Sequence, residues 1–152
     1  MPNLFIARHG NYHQEDGSLN TYGAEQIDYL GCRIKESGQA GCFYILTAGS
    51  PMSQNSAERL ADLLGDAYVE TDPMLREYTS GRIPLNAIIG RVDEAVHMAD
   101  NVVVVTHKAV SSALPPFYVR SKYGLVIPHP ELRRGHAIFV RPDGTTEFMG
   151  RA

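Results

Sequence analysis

The chain has 152 residues, 43% of them hydrophobic and 20% charged, which is ordinary globular usage and excludes a largely disordered polymer. Lys plus Arg number 14 against 17 Asp plus Glu, a formal net charge of -3, so no basic surplus points to nucleic acid. Residues 1–6 are too short and uncharged for a signal peptide, and no apolar run, residues 102–105 included, approaches bilayer length.

That length suits one core, so a single domain over residues 1–152 is expected, in the cytoplasm and without a membrane partner. Cys32 and Cys42 form no CxxC or Cys/His ligand pattern and read as free thiols of a reducing compartment.

The chain opens on Leu4-Phe5-Ile6-Ala7, a continuous apolar run that reads as a strand buried on both faces. Arg8-His9-Gly10 follows where that strand ends. Residues 11–20 are polar and read as a loop. Over residues 21–35, Ala24, Ile27, Leu30 and Ile34 recur at helical spacing, with Asn20 or Thr21 as cap and residues 37–41 as the stop.

Residues 43–47 read as a second strand and Ser50-Pro51 as a turn away from it. A helix is predicted over residues 53–64, with Ala57, Leu60, Ala61 and Leu64 on one stripe and Gly65 as its stop. Residues 68–71 make a short third strand, and residues 72–83 a loop holding Pro73, Glu77 and Gly81. A helix over residues 85–99 turns Ile88, Ile89, Val92, Ala95 and Val96 inward. Residues 101–106 are the clearest strand, β-branched and ending in His107. A helix beginning at Ala109 is expected to be interrupted by Pro115-Pro116. Residues 137–140 and 145–148 flank Pro142-Asp143-Gly144 as a hairpin.

Strands alternating with helices predict an α/β fold, a mostly parallel central sheet covered on both faces as a three-layer αβα sandwich. Ligands bind such sheets beyond the carboxyl ends of the strands. His9 and His107, two of six histidines, fall at such ends. An imidazole is nucleophilic when neutral with its other nitrogen held, and a neighbouring guanidinium suits phosphate oxygens. Glu77 is a candidate proton donor to a leaving group or, equally, a solvated acid. The other histidines read as less functional: His97 as a surface group, His13 as a loop residue placed to rim the pocket, His129 as a residue between Pro128 and Pro130, and His136 as a packing residue or one that supports the site. Arg133-Arg134 and Arg120-Ser121-Lys122 are either solvated or part of an anion-attracting rim.

Together these segments resemble the histidine phosphatase superfamily, which includes the phosphoglycerate mutases. Leu4 to Gly10 is similar to its strand-plus-RHG signature, and Leu19-Asn20-Thr21-Tyr22-Gly23-Ala24-Glu25-Gln26 to its L-T-x-x-G-x-x-Q element. Ser50-Pro51, the Leu75-Arg76-Glu77 to Gly81 loop and Val103 to His107 resemble further elements in the same order, over roughly residues 4–114.

The resemblance implies phosphoryl transfer without metal or cofactor, on a phosphorylated small molecule or a phosphoprotein, in the manner of small phosphohistidine phosphatases. By carry-over, His9 is the nucleophile, Arg8 and His107 hold phosphate oxygens, and Glu77 is the acid and base. Gly10, Asn11, Gln54 and Lys108 complete the expected phosphate site. Gln54 stands where the family usually has Arg, Lys108 where it has Gly, and Asn11 where many mutases have an acid. A neutral amide lacks the charge and fork of a guanidinium. That departure sets a second reading beside the phosphatase, a non-catalytic relative that binds phosphate-bearing ligands or a protein partner. A flavodoxin-like nucleotide binder is the remaining alternative, but only Gly10 of its Gly-rich loop is present.

Overall fold

The computed structural model describes residues 2–38, 41–79 and 82–151. Gln39, Ala40, Ser80 and Gly81, expected in connecting loops, lie outside them.

Four of the strands are parallel: β1 (Asn3–Arg8), β2 (Phe43–Thr47), β3 (Ala67–Thr71) and β4 (Asn101–Thr106). β5 (Ala137–Val140) runs antiparallel to β1, and β6 (Thr146–Met149) antiparallel to β5. The sheet order is β3-β2-β4-β1-β5-β6. The central strands are buried on both faces, which is why they read as unbroken apolar runs. Side chains alternate strictly between two cores. Leu4, Ile6, Val102 and Val104 face α3 (Leu85–Val96) and α4 (Lys108–Tyr123). Phe5, Ala7, Val103 and Val105 face α1 (Thr21–Ser37) and α2 (Pro51–Leu64). The result is the expected three-layer sandwich with a mostly parallel sheet.

The expected elements are present, with differences at several boundaries and inside one helix. First, α2 begins at Pro51 rather than residue 53, because proline's fixed φ and missing N–H suit a first helical position. Second, α3 stops at Val96 rather than residue 99, closed by His97, and Val96 is only partly buried. Third, α1 turns Gly23 and Gly31 inward, whereas Ala24 is only half-buried. The fourth difference is largest. α4 runs unbroken through Pro115 and Pro116, where an interruption was expected.

Each interior proline disfavours a helix by about 3 kcal/mol. Leu114, Tyr118 and Val119 on the same helix are fully or almost fully buried. Burying each is worth about 1.5–3 kcal/mol, so packing roughly offsets the missing hydrogen bonds. A three-residue 3-10 turn, Pro73–Leu75, also interrupts the loop after β3, capped by Asp72 accepting from Met74 N at 2.9 Å.

Candidate active site

β1 and β4 are adjacent and in register, Arg8 opposite Thr106, so the residues that follow them emerge side by side. His9 N donates to Thr106 O at 3.1 Å and fastens the two strand ends together. The rings of His9 and His107 meet edge to face with centroids 5.0 Å apart. Both are deeply buried, at 4% and 5% relative exposure.

Burial decides the charge of these rings, because an imidazolium loses more hydration than it regains in such a place. Burial pushes His9 down to about 4, helped by the charges of His107, Arg8 and Arg134 and opposed by the Gly10 carbonyl. Burial also lowers His107, with Glu77 acting against it and Arg8 with it. His9 Nδ1 lies 2.9 Å from Gly10 O. A carbonyl only accepts, so Nδ1 carries the proton and Nε2 keeps its lone pair. His107 Nε2 pairs with Ser50 Oγ at 2.9 Å, and Ser50 Oγ pairs with Ser53 Oγ at 2.6 Å.

Arg8 is half-buried. Its Nη1 donates to Leu132 O at 3.0 Å, while its Nε is buried and has no partner among the described residues. Burial lowers its pKa, as does Arg134, with Tyr12 and Glu77 opposing.

The loop after β1 is gripped by α2 and α1 together. Gly10 N donates to Ser56 Oγ at 3.0 Å and Asn11 N to Gln26 Oε1 at 2.8 Å. Both main-chain donors are thus committed within the protein. A Cβ on Gly23 would sit 1.9 Å from Asn11 O, and one on Gly10 2.8 Å from Gly23 O. These two glycines allow the backbones to touch, which is the physical content of the G-x-x-Q spacing. Asn20 caps α1 by accepting from Gly23 N at 2.8 Å.

The remaining expected residues are arranged around the rim. Thr106 Oγ1 donates to Leu75 O and ties the Glu77 loop to the end of β4. Glu77 is exposed and lines one cavity with Tyr78, Lys108, Ala109, Ser112 and Ala113. Lys108 is exposed too. Gln54 Oε1 accepts from Thr71 Oγ1 at 3.1 Å, and Arg59 closes on Asp28 at 2.7 and 2.9 Å. His13, His97 and His129 are exposed. His136 is buried against Phe148, with its Nε2 3.0 Å from Arg151 O. Among the described residues no group of three or more His, Cys, Asp or Glu is placed to hold a metal ion. None of their helices is long and apolar enough to cross a membrane.

Sequence reasoning gave no role to Ser50, Ser53 and Ser56. Their three-residue spacing on the first turns of α2 was the available signal, since it puts all three on one face. Tyr12 carried no comparable signal, and Arg133-Arg134 stood open between a solvated pair and an anion-attracting rim.

No family model and no curated protein matches the sequence. Solved structures do match it. The protein histidine phosphatase SixA complexed with tungstate superposes with a TM-score of 0.71 at 17% identity, over 97% of this chain and 94% of that one. The chain has the histidine phosphatase fold. A putative phosphohistidine phosphatase SixA from Agrobacterium tumefaciens gives 0.66 at 12% identity, over 99% and 98% of the two chains. A mycobacterial glucosyl-3-phosphoglycerate phosphatase complexed with VO3 gives 0.66 at 13% identity, over 100% of this chain and 98% of that one.

Proposed function

We propose that this chain is a phosphatase that hydrolyses a phosphomonoester or a protein phosphohistidine through a phosphohistidine formed on His9. The observation that carries this reading is the state of the His9 ring: buried, neutral and held by Gly10 O with Nε2 unprotonated. A neutral imidazole at physiological pH is a competent nucleophile without a separate base.

In the first step Nε2 attacks phosphorus, an N–P bond forms and the bond from phosphorus to the leaving atom breaks. The ring becomes cationic, and Gly10 O accepts from its Nδ1–H and stabilises that charge. Arg8 and His107 hold the phosphoryl oxygens. Arg8 Nε, buried and unpartnered among the described residues, is a ready donor. Glu77 protonates the leaving atom. In the second step water attacks phosphorus, the N–P bond breaks, Glu77 takes the water's proton and inorganic phosphate departs. The fold of the phosphohistidine and sugar-phosphate phosphatases that superpose on this chain supports the reading. Lys108 and the side chains of Asn11 and Gln54 complete the phosphate site in this proposal, Gly10 contributing its lack of a side chain.

The test is rapid quench of the protein with p-nitrophenyl phosphate at neutral pH, followed by mapping of acid-labile, base-stable phosphate. Turnover and label on His9 are expected, both lost in His9→Ala with a drop of at least about 1,000-fold in kcat. Tungstate binding with neither turnover nor label would overturn the phosphatase and establish the non-catalytic phosphate binder, the reading that neutral Gln54 motivates.

A further inference from the structure

A transferring phosphoryl group spreads its charge over three equatorial oxygens, and positioned cations supply most of its stabilisation. In this site both imidazoles are depressed toward neutrality. Gln54 is an amide held by Thr71, and Arg59 on the same helix is closed onto Asp28. Arg8 has one arm committed to Leu132 O. Lys108 is exposed and lines a cavity together with Glu77.

One further guanidinium reaches the site, from the other end of the chain. Arg134 precedes β5. Its Nη1 donates to Asn11 Oδ1 at 3.3 Å, and its Cζ lies 4.6 Å from the centroid of the Tyr12 ring. Tyr12 in turn meets His9 with ring centroids 5.5 Å apart.

The backbone fixes this placement. Gly135 N donates to both Arg8 O at 3.1 Å and His9 O at 2.9 Å, with Gly135 at φ +76°, where a side chain would also run into Gln26. The residue before that clamp has no freedom to leave the neighbourhood of His9. No carboxylate pairs with Arg134 among the described residues. Its charge is felt by both Arg8 and His9, lowering each.

We propose that Arg134 is a catalytic residue of this site, its guanidinium moving along the Tyr12 ring from Asn11 to an oxygen of the transferring phosphoryl group. Arg8 and Arg134 then grip the phosphoryl group together, one from β1 and one from the segment that enters β5. Asn11 is the parking partner of Arg134 in the free protein, and its amide is released to the ligand when Arg134 moves. The catalytic part of this role rests on the phosphatase reading; the anion-binding part is measured without it.

The experiment compares the full chain with Arg134→Gln and Arg134→Lys in three measurements: tungstate affinity by calorimetry, kcat/KM on p-nitrophenyl phosphate, and the His9 titration by NMR. Arg134→Gln is expected to weaken tungstate about 10-fold, the value of one charge-assisted pair. It should lower kcat/KM about 100-fold, as for other removed transition-state donors. The His9 titration should move upward once a neighbouring positive charge is gone. Arg134→Lys should recover part of each loss.

Tungstate affinity and kcat/KM both within about twofold of the parent in Arg134→Gln would overturn the proposal. Loss of turnover in His9→Ala alone would then leave the phosphatase reading standing. Conversely, tungstate binding that depends on Arg134 in a protein without turnover removes the phosphatase and keeps the anion site. If Arg134→Gln does not fold, Arg134→Lys decides. A severalfold drop in tungstate affinity supports the guanidinium fork, and an unchanged affinity overturns it.

Discussion

Strands β1 and β4 lie side by side and carry a buried polar pair at each end. At the amino end Asn3 Nδ2 donates to Asn101 Oδ1 at 3.1 Å, with both residues buried. At the carboxyl end the pair is His9 and His107. The amides close on each other across the strands, so their polarity is used up within the fold. The imidazoles do not. Each is held through one nitrogen, by Gly10 O and by Ser50 Oγ respectively. Similar burial of polar groups thus makes a staple at one end and a candidate site at the other. What separates them is whether the partner is the opposite strand or a loop that leaves a lone pair available.

Acid breaks this comparison most strongly. Amides do not titrate, whereas a neutral buried imidazole must be protonated as pH falls. The unfolded His9 takes up its proton near 6.5 and the folded one only near about 4. Its contribution to stability is therefore complete above pH 6.5 and drains away as pH falls through that window. The loss is on the order of 3 kcal/mol for His9 alone. Burial lowers His107 and His136 as well, which adds to it. Urea unfolding at stepped pH should show the decline, and replacing His9 with Asn should flatten it. An equal decline in His9→Asn would assign the acid sensitivity elsewhere.

Asn101→Leu attacks the opposite end. It leaves the Asn3 amide without its acceptor inside the core, at about 2 kcal/mol of stability. The kcat on an aryl phosphate should stay within about twofold, because the site lies at the far ends of the same strands. A large loss of activity without a loss of stability would show that the two ends are coupled.

Gln54→Arg is expected to have the smallest effect. It adds a cation to a rim where Arg134 already supplies one, so kcat/KM should rise only a few fold, less than about 1 kcal/mol. Stability by thermal melt should change little, the Gln54 side chain being bound, among the described residues, to exposed Thr71. A rise of about 100-fold would mean that the site lacks a second guanidinium in the parent chain, which bears directly on Arg134.

Much of this architecture was legible in the residues. The unbroken runs Leu4 to Ala7 and Val102 to Val105 announce central strands, and the polar residues just beyond them mark the sheet edge that carries the candidate site. The helix through Pro115-Pro116 was not legible, because local propensity argues against it and only the burial of its neighbours decides for it. Nor was Arg134. Nothing in Arg133-Arg134 distinguishes a solvated pair from a site residue until Gly135 is seen clamped to the carbonyls of Arg8 and His9.

Chain order and side-chain type were enough to determine which strands are central and that His9 and His107 end two of them, whereas the Gly23 and Gln26 spacing stood out only through the family resemblance. Those features are local: they depend on periodicity, on backbone preference and on what can follow a strand. Tertiary structure alone decided that β1 and β4 are neighbours, that the His9 ring is neutral with its proton on Nδ1, and that Arg134, more than 120 residues along the chain from Asn11, hydrogen-bonds to it. Burial, dielectric surroundings and the register between distant segments set those properties, and no window of sequence contains them.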